Sequence, residues 1–279
     1  MTEHLFSFEF SAPRTPEAVA KVASVHAGLS GLKPAPRCFS VTYGAGGSTK
    51  DGTRQVVIDL NKKSASPVAA HLSFGTDDEA TMRTLLADYK AAGVTHLVAL
   101  RGDLPSGTSD SRQLVHANEL VGFIRKETGE HFHIAVAAYP ESHPESKTIA
   151  DDIARFKQKV EAGANIALTQ YFYNADAYFR YMDLCAAANI KVPIVPGIMP
   201  ITNYEGLMRF SSICGAEIPR WIEKTLADHA DDPAALKSFG DEVVTNLCQR
   251  LLDGGAPGLH FYTLNQLKPT LRIWQGLGL

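Results

Sequence analysis

The sequence predicts an α/β fold: a (β/α)8 TIM barrel with extra helices between its seventh and eighth strands. Eight strand-like runs alternate with amphipathic stretches from one end to the other, and no Pro/Ser-rich linker interrupts them. Polar residues also collect at the strand-to-helix junctions. Glu9, Thr42, His71, Arg101, Asp103, Tyr139, Gln170 and His260 all fall within or just past a predicted strand. In a barrel such positions converge on one mouth, where barrel enzymes build their active sites. A doubly wound open sheet is the alternative, and the repeated polar junctions favour the barrel over it. Residues 1–279 read as one catalytic barrel domain.

The strands are predicted at 5–10, 38–43, 68–74, 96–100, 133–139, 166–172, 192–196 and 259–264. Most are near-continuous apolar runs, the pattern of parallel strands covered on both faces. The first alternates instead, with Phe6, Phe8 and Phe10 on one face and Ser7, Glu9 and Ser11 on the other. If the phenylalanines pack under the helices, Glu9 points into the barrel. Helices are expected at 77–92 and 149–162, and Gly93 and Gly163 supply left-handed C-caps just before the next strands. The long interval between residues 196 and 259 must hold two or three helices, including 218–228 and 233–252.

With 279 residues, 45% of them hydrophobic, the chain can bury a sizeable core. A net charge of −3 without a Lys/Arg-rich tract leaves no electrostatic footprint for nucleic acid. Cys38, Cys185, Cys214 and Cys248 are widely spaced, with no C-x-x-C pair, and suit a reducing compartment. The N-terminus runs almost at once into a strand, leaving no room for a signal peptide, and no apolar stretch reaches membrane-spanning length. The expectation is a soluble cytoplasmic protein with a small-molecule substrate and no nucleic-acid or membrane partner.

Several stretches carry chemistry. The apolar run His96-Leu97-Val98-Ala99-Leu100 ends abruptly in Arg101-Gly102-Asp103. Buried charge is costly unless paired, so opposite charges at a strand end mark a site, and Gly102 lets a flat ligand approach the backbone. Glu9 has two readings. Desolvation raises a carboxyl pKa and suits a general acid; the other reading is a structural carboxylate paired with an arginine. Thr42-Tyr43-Gly44-Ala45-Gly46-Gly47-Ser48 either offers N–H groups to an anion or is a plain loop, and it fits no phosphate-loop pattern. Two prolines in Tyr139-Pro140-Glu141-Ser142-His143-Pro144-Glu145 fix a loop that presents Tyr139 and His143 together. His131, His133, His143 and the glutamates lack metal-ligand spacing, and no metal is expected. Asp152, Arg155 and Lys159 share a helix face, which spacing alone reads as solvated. Gln170 can donate and accept toward a heterocycle edge, although the aromatics around it read as core.

Together these segments resemble the methylenetetrahydrofolate reductase family, in its short bacterial form consisting of the catalytic barrel. The resemblance rests on Ser7-Phe8-Glu9-Phe10, Phe39-Ser40-Val41-Thr42-Tyr43-Gly44-Ala45 and the run from His96 to Pro105. It continues in Val136-Ala137-Ala138-Tyr139-Pro140-Glu141, Gly163-Ala164-Asn165, Thr169-Gln170, Pro196-Gly197-Ile198-Met199-Pro200 and His260-Phe261-Tyr262-Thr263-Leu264-Asn265. It implies a barrel that binds FAD, is reduced by NADH or NADPH, and then reduces 5,10-methylenetetrahydrofolate to 5-methyltetrahydrofolate, a supply of methyl groups for methionine synthesis. Glu9 is then the general acid at N10, and Asp103 tunes the flavin. Tyr43, Ala45, His71, Arg101, Gly102, Asp103, Tyr139, His143, Asp152 and Lys159 are implied for FAD. Thr42 is implied for the nicotinamide cofactor, Gln170 for the pterin, and Phe210 for stacking on folate.

The sequence also departs from the enterobacterial pattern. Arg155 and Gln158 stand where an asparagine and an arginine touch FAD, and the resemblance implies Arg155 as the compensating contact. Gly206 and Gln266 stand where a glutamine and an arginine bind substrate, so the folate-tail contacts differ. The alternatives are a flavin-independent member of the family and a pterin-binding barrel methyltransferase; a folate or flavin storage barrel is disfavoured by the presence of Glu9. The chain is expected to form a homo-oligomer, and its end just after the eighth βα unit is expected to leave no C-terminal regulatory domain.

Overall fold

The computed structural model describes residues 4–43, 50–75, 77–101 and 116–279. Its strands are β1 (Leu5–Phe10), β2 (Cys38–Val41), β3 (Val68–Leu72), β4 (His96–Ala99), β5 (His133–Ala138), β6 (Ile166–Thr169), β7 (Ile194–Val195), β8 (Gly197–Ile198) and β9 (Gly258–Tyr262). The helices are α1 (Pro16–Ser30), α2 (Lys50–Lys63), α3 (Glu79–Ala91), α4 (Ala117–Thr128), α5 (Ile149–Glu161), α6 (Ala175–Ala187), α7 (Tyr204–Cys214), α8 (Arg220–Asp228), α9 (Pro233–Asp253) and α10 (Leu267–Gly276). Every strand pairing is parallel, in the order β7-β6-β5-β4-β3-β2-β1-β9-β8.

The ring closes through one broken strand. β7 pairs with β6 and β8 pairs with β9, with only Pro196 between the two halves. Pro196 has no N–H to donate, but its carbonyl accepts from His260 N–H at 2.9 Å. Gly197 N–H donates to Thr169 Oγ1 at 2.9 Å, and a Cβ at Gly197 would clash with the Thr169 carbonyl oxygen. Glycine is needed there because two strands approach so closely. The sequence predicts a seventh strand that ends at Pro196; the pairing resumes beyond the proline in β8, so nine segments fill eight barrel positions. The doubly wound alternative is excluded, since β1 lies between β2 and β9 and the two ends of the row meet at Pro196.

The alternation in β1 sorts its residues as expected. Phe6, Phe8 and Phe10 are fully buried on the outer face, in a large cluster with Phe261, Trp274 and the helices. Phe6 meets the Trp274 ring edge-on at 4.8 Å, and Phe8 stacks on Phe261 at 5.4 Å. Each such ring contributes roughly 1.5–3 kcal/mol relative to exposure. Ala69, Val98 and Ala135 form a separate small cluster inside the barrel.

Local signals set the helix ends. Thr148 Oγ1 accepts from Asp151 N–H at 3.1 Å to start α5. Gly93 and Gly163 take φ of 74° and 114°, as their positions before the next strands predict. Most predicted strands overrun the observed ones at their C-terminal ends, because buried residues such as Phe74 and Phe172 continue the apolar pattern into the mouth loops.

The floor of the barrel is stapled by Arg125. Its guanidinium donates to the carbonyls of Gly163 and Phe132 and to Asn165 Oδ1, whose oxygen also accepts from Ile134 N–H. The Gly163-Ala164-Asn165 motif is explained by this bracing.

Candidate active site

β1 carries Glu9 to the inner face, with its side chain only 14% exposed. Two imidazoles meet the carboxylate. His71 Nε2 on β3 lies 3.2 Å from Oε2, and His260 Nε2 on β9 lies 3.4 Å from it. Ser7 Oγ lies 2.8 Å from the other nitrogen of His260, Nδ1. The His71 contact is off the hydrogen-bond line, which leaves His71 Nε2 without a hydrogen-bond partner among the described residues.

Burial by itself pushes the Glu9 carboxyl up. The charge of His71 and the hydrogen bond with His260 outweigh it and hold the group at about 2. This corrects the expectation of a raised carboxyl, and two histidines stand where the structural reading placed an arginine.

The loop after β9 clamps this strand end. Thr263 Oγ1 donates to the Glu9 carbonyl at 2.6 Å, and Asn265 makes hydrogen bonds of 2.9 and 3.0 Å with the Ser11 backbone. Leu264 and Asn265 hold φ of 49° and 55° to do so. Such left-handed conformations cost a non-glycine residue about 1–3 kcal/mol and persist where the surroundings enforce them.

A second cluster occupies the loop after β5. Tyr139 and His143 meet edge-on with ring centroids 4.7 Å apart, and Ser142 between them takes φ of 71°. Arg101 grips Glu145 with two bonds of 2.5 and 2.7 Å. Asp152 is buried and accepts from His143 N–H at 3.2 Å and from Ser146 Oγ at 3.1 Å. Lys159 Nζ donates to the Ala137 carbonyl at 2.9 Å and sits 5.5 Å from the Tyr139 ring centroid. Burial lowers the Lys159 ammonium to about 8. Arg155 is exposed, and its charge reaches both Glu145 and Lys159. The solvated-face reading therefore holds for Arg155 and is corrected for Asp152 and Lys159, which the helix turns inward. Among the described residues no carboxylate lies within ion-pair distance of Lys159. A desolvated ammonium bonded to a lone carbonyl is suited to receive an anion.

The remaining predicted residues are dispersed around the mouth. Thr42 Oγ1 accepts from Ala12 N–H at 2.9 Å, and Tyr43 OH lies 3.4 Å from Asp77 Oδ2. Gln170 Oε1 accepts from Tyr171 N–H at 3.0 Å. Tyr171 OH bonds Ser211 Oγ at 3.0 Å, which docks α7 and the 44% exposed Phe210 over the loop that begins at Gln170. Gly206 N–H donates to Asn203 Oδ1 at the start of α7, and Gln266 is the N-cap of α10. His133 begins β5 at the floor, whereas His143 follows its mouth end, so those two histidines are not brought together. Ala45, Gly102 and Asp103 lie outside the described residues.

Sequence reasoning gave His260 a place among the mouth residues but no task, and it gave Glu145, Thr263 and Asn265 none. The isolated histidine within the apolar run 258–262 was the available signal for the first. The other three act through loop geometry, which no spacing rule encodes.

Comparison with known proteins agrees with this geometry. Residues 1–278 match the family model described as methylenetetrahydrofolate reductase. The chain is 38% identical over 274 residues to 5,10-methylenetetrahydrofolate reductase of Escherichia coli, covering 98% of this chain and 90% of that one. It is 34% identical over 288 residues to the probable methylenetetrahydrofolate reductase (NADH) of Oryza sativa, covering 99% of this chain and 48% of that one. A solved structure of an uncharacterized Clostridium thermocellum protein that binds two copies of 5-methyl-5,6,7,8-tetrahydrofolic acid has the same fold. Its TM-score is 0.69 at 18% identity, covering 99% of this chain and 96% of that one. The Glu9 carboxylate and its two histidines at the barrel's inner face thus sit in a chain that belongs to the methylenetetrahydrofolate reductase family.

Proposed function

We propose that this chain, as one catalytic barrel over residues 1–279, reduces 5,10-methylenetetrahydrofolate to 5-methyltetrahydrofolate with electrons from NAD(P)H, in a ping-pong cycle through FAD. It thereby supplies methyl groups for methionine synthesis. The observation that carries this reading is Glu9, held inside the barrel by His71 and His260 in a chain of the reductase family. The name of the rice relative supports NADH as a donor.

The mouth residues fit a flavin dinucleotide. Lys159 is desolvated and, among the described residues, its one hydrogen bond is to the Ala137 carbonyl, which suits a pyrophosphate, and Arg155 is near enough to share that charge. Asp152 offers a buried carboxylate for a ribose hydroxyl. Tyr43, Ala45, His71, Arg101, Gly102, Tyr139 and His143 are assigned to the rest of that site. These residues would hold FAD, which would supply hydride transfer between nicotinamide and folate.

The protein's own chemistry is proton placement. Glu9 delivers a proton to N10 of the folate, which opens the five-membered ring and exposes the 5-iminium carbon that accepts the hydride. Asp103 is assigned to tuning the flavin, Thr42 to the nicotinamide cofactor, and Gln170, Phe210 and Gln266 to the folate. Purification tests the flavin half of this reading. The expected result is a yellow protein that oxidises NADH. A colourless protein that cannot be loaded with FAD and leaves NADH untouched overturns it.

A further inference from the structure

We propose that the proton spent at Glu9 enters through the floor of the barrel, relayed by Ser7 and His260 from a cavity at the N-terminal ends of the strands. This rests on the reading of Glu9 as proton donor.

A cavity of about 330 Å³ lies beneath the Glu9 layer, with Ser7, Ser40 and His260 in its wall. Exposed Arg37, His133 and Pro193 also border it, so it opens to solvent at the floor. TIM-barrel interiors are normally filled by layers of bulky side chains. Here Ala69 and Ala135 occupy inner positions and leave space.

From this cavity a continuous polar chain runs upward. Ser7 Oγ contacts His260 Nδ1 at 2.8 Å, and His260 Nε2 reaches Glu9 Oε2 at 3.4 Å. The His260 side chain is 1% exposed, so its protons move through these two contacts. Ser40, paired with Glu9 in register, has a buried hydroxyl without a hydrogen-bond partner among the described residues. An orphan hydroxyl, with Ser7 and His260 in the same wall of an open cavity, marks a place for ordered water. The floor therefore offers Glu9 a route to solvent when substrate fills the mouth.

The transfer balances. His260 gives its Nε2 proton to Glu9 as Ser7 gives its hydroxyl proton to Nδ1, and cavity water reprotonates Ser7. The hydroxide left behind is neutralised by bulk solvent, so each turnover draws one proton through the floor. A turn of the imidazole restores the Nε2–H tautomer for the next cycle. The titratable or charged groups facing this path are Glu9 on β1, His71 on β3 and Tyr262 beside His260 on β9, with Cys38, His96, His133 and Arg37 around the cavity.

Ser7→Ala removes the link, Ser7→Thr retains it, and Ala135→Leu fills the cavity. In Ser7→Ala, steady-state folate reduction is expected to fall about tenfold at alkaline pH, with a larger solvent deuterium effect. A single turnover begun from acid-equilibrated enzyme keeps the wild-type rate. Ser7→Thr restores the alkaline limb, Ala135→Leu loses it, and the ¹⁵N resonance of His260 Nδ1 shifts in Ser7→Ala without any turnover. An unchanged alkaline limb and isotope effect in Ser7→Ala overturns the relay, as does equal slowing at every pH that Ser7→Thr does not restore. If Glu9→Gln keeps folate reduction, the underlying reading fails. If Glu9→Gln loses it while Ser7→Ala is unaffected, only the relay fails.

Discussion

The two faces of the barrel wall divide the work. On the outer face, rings and branched aliphatics fill the space under the helices, from Phe6, Phe8 and Phe10 to Phe261 and Trp274. The inner face mixes small and polar side chains (Ala69, Ala135, Ser7, Ser40, Glu9, His71 and His260) with aliphatics such as Val98, Ile166 and Leu168. Two buried polar atoms there, Ser40 Oγ and His71 Nε2, go without a hydrogen-bond partner among the described residues. Orphaned polar groups cost stability, and residues chosen for folding alone would not leave them. The contrast teaches that the outer wall supplies the stability that lets the inner wall hold charge and space.

Substitutions on each face can break or sharpen that division. The largest expected effect is on the outer face, where Trp274→Ala should lower stability by about 3–5 kcal/mol in denaturant titration. NADH oxidation by the remaining folded enzyme should be nearly normal, and a selective loss of activity would blur the division. At the mouth, Lys159→Met should do the reverse. Removing a desolvated ammonium is expected to leave the cofactor-free protein at least as stable, while FAD affinity, read by fluorescence titration, falls roughly ten- to hundredfold.

A smaller effect is expected at Glu141, whose Oε2 accepts from Glu217 N–H at 2.8 Å. Burial pushes this carboxyl up to about 7 from an ordinary 4.5. The folded protein thus binds the proton more tightly than the unfolded chain does. Its stabilising contribution is full below about 4.5 and is lost as pH rises through about 7. Glu141→Gln should flatten that part of the stability–pH curve, measured by thermal unfolding across it. The smallest effect is expected at Ser40→Ala, within about 0.5 kcal/mol of wild type or slightly stabilising, because its hydroxyl has no protein hydrogen bond among the described residues to lose.

The same division explains what was legible in the sequence. The outer face advertises itself by period, as the three phenylalanines of β1 show, and glycines such as Gly93 and Gly163 mark where helices stop. Glu9 could be placed on the inner face from alternation alone. Its ionisation could not, because the partners that lower it arrive from β3 and β9, far away in sequence. Asp152 and Lys159 were misread for a related reason: three charges on one helix face look solvated until residues 139–148 fold over two of them. Pro196 read as a strand end, yet parallel pairing on both sides makes it the point where the barrel closes.

The central claim is that Glu9, at the inner face, serves the folate half of the reaction and not the nicotinamide half. Rapid mixing of the Glu9→Gln enzyme with NADH, and then of the reduced enzyme with 5,10-methylenetetrahydrofolate, separates the two. The expected result is flavin reduction at the wild-type rate with folate reduction slowed by about 10²–10⁴-fold. Two intact half-reactions would contradict the claim.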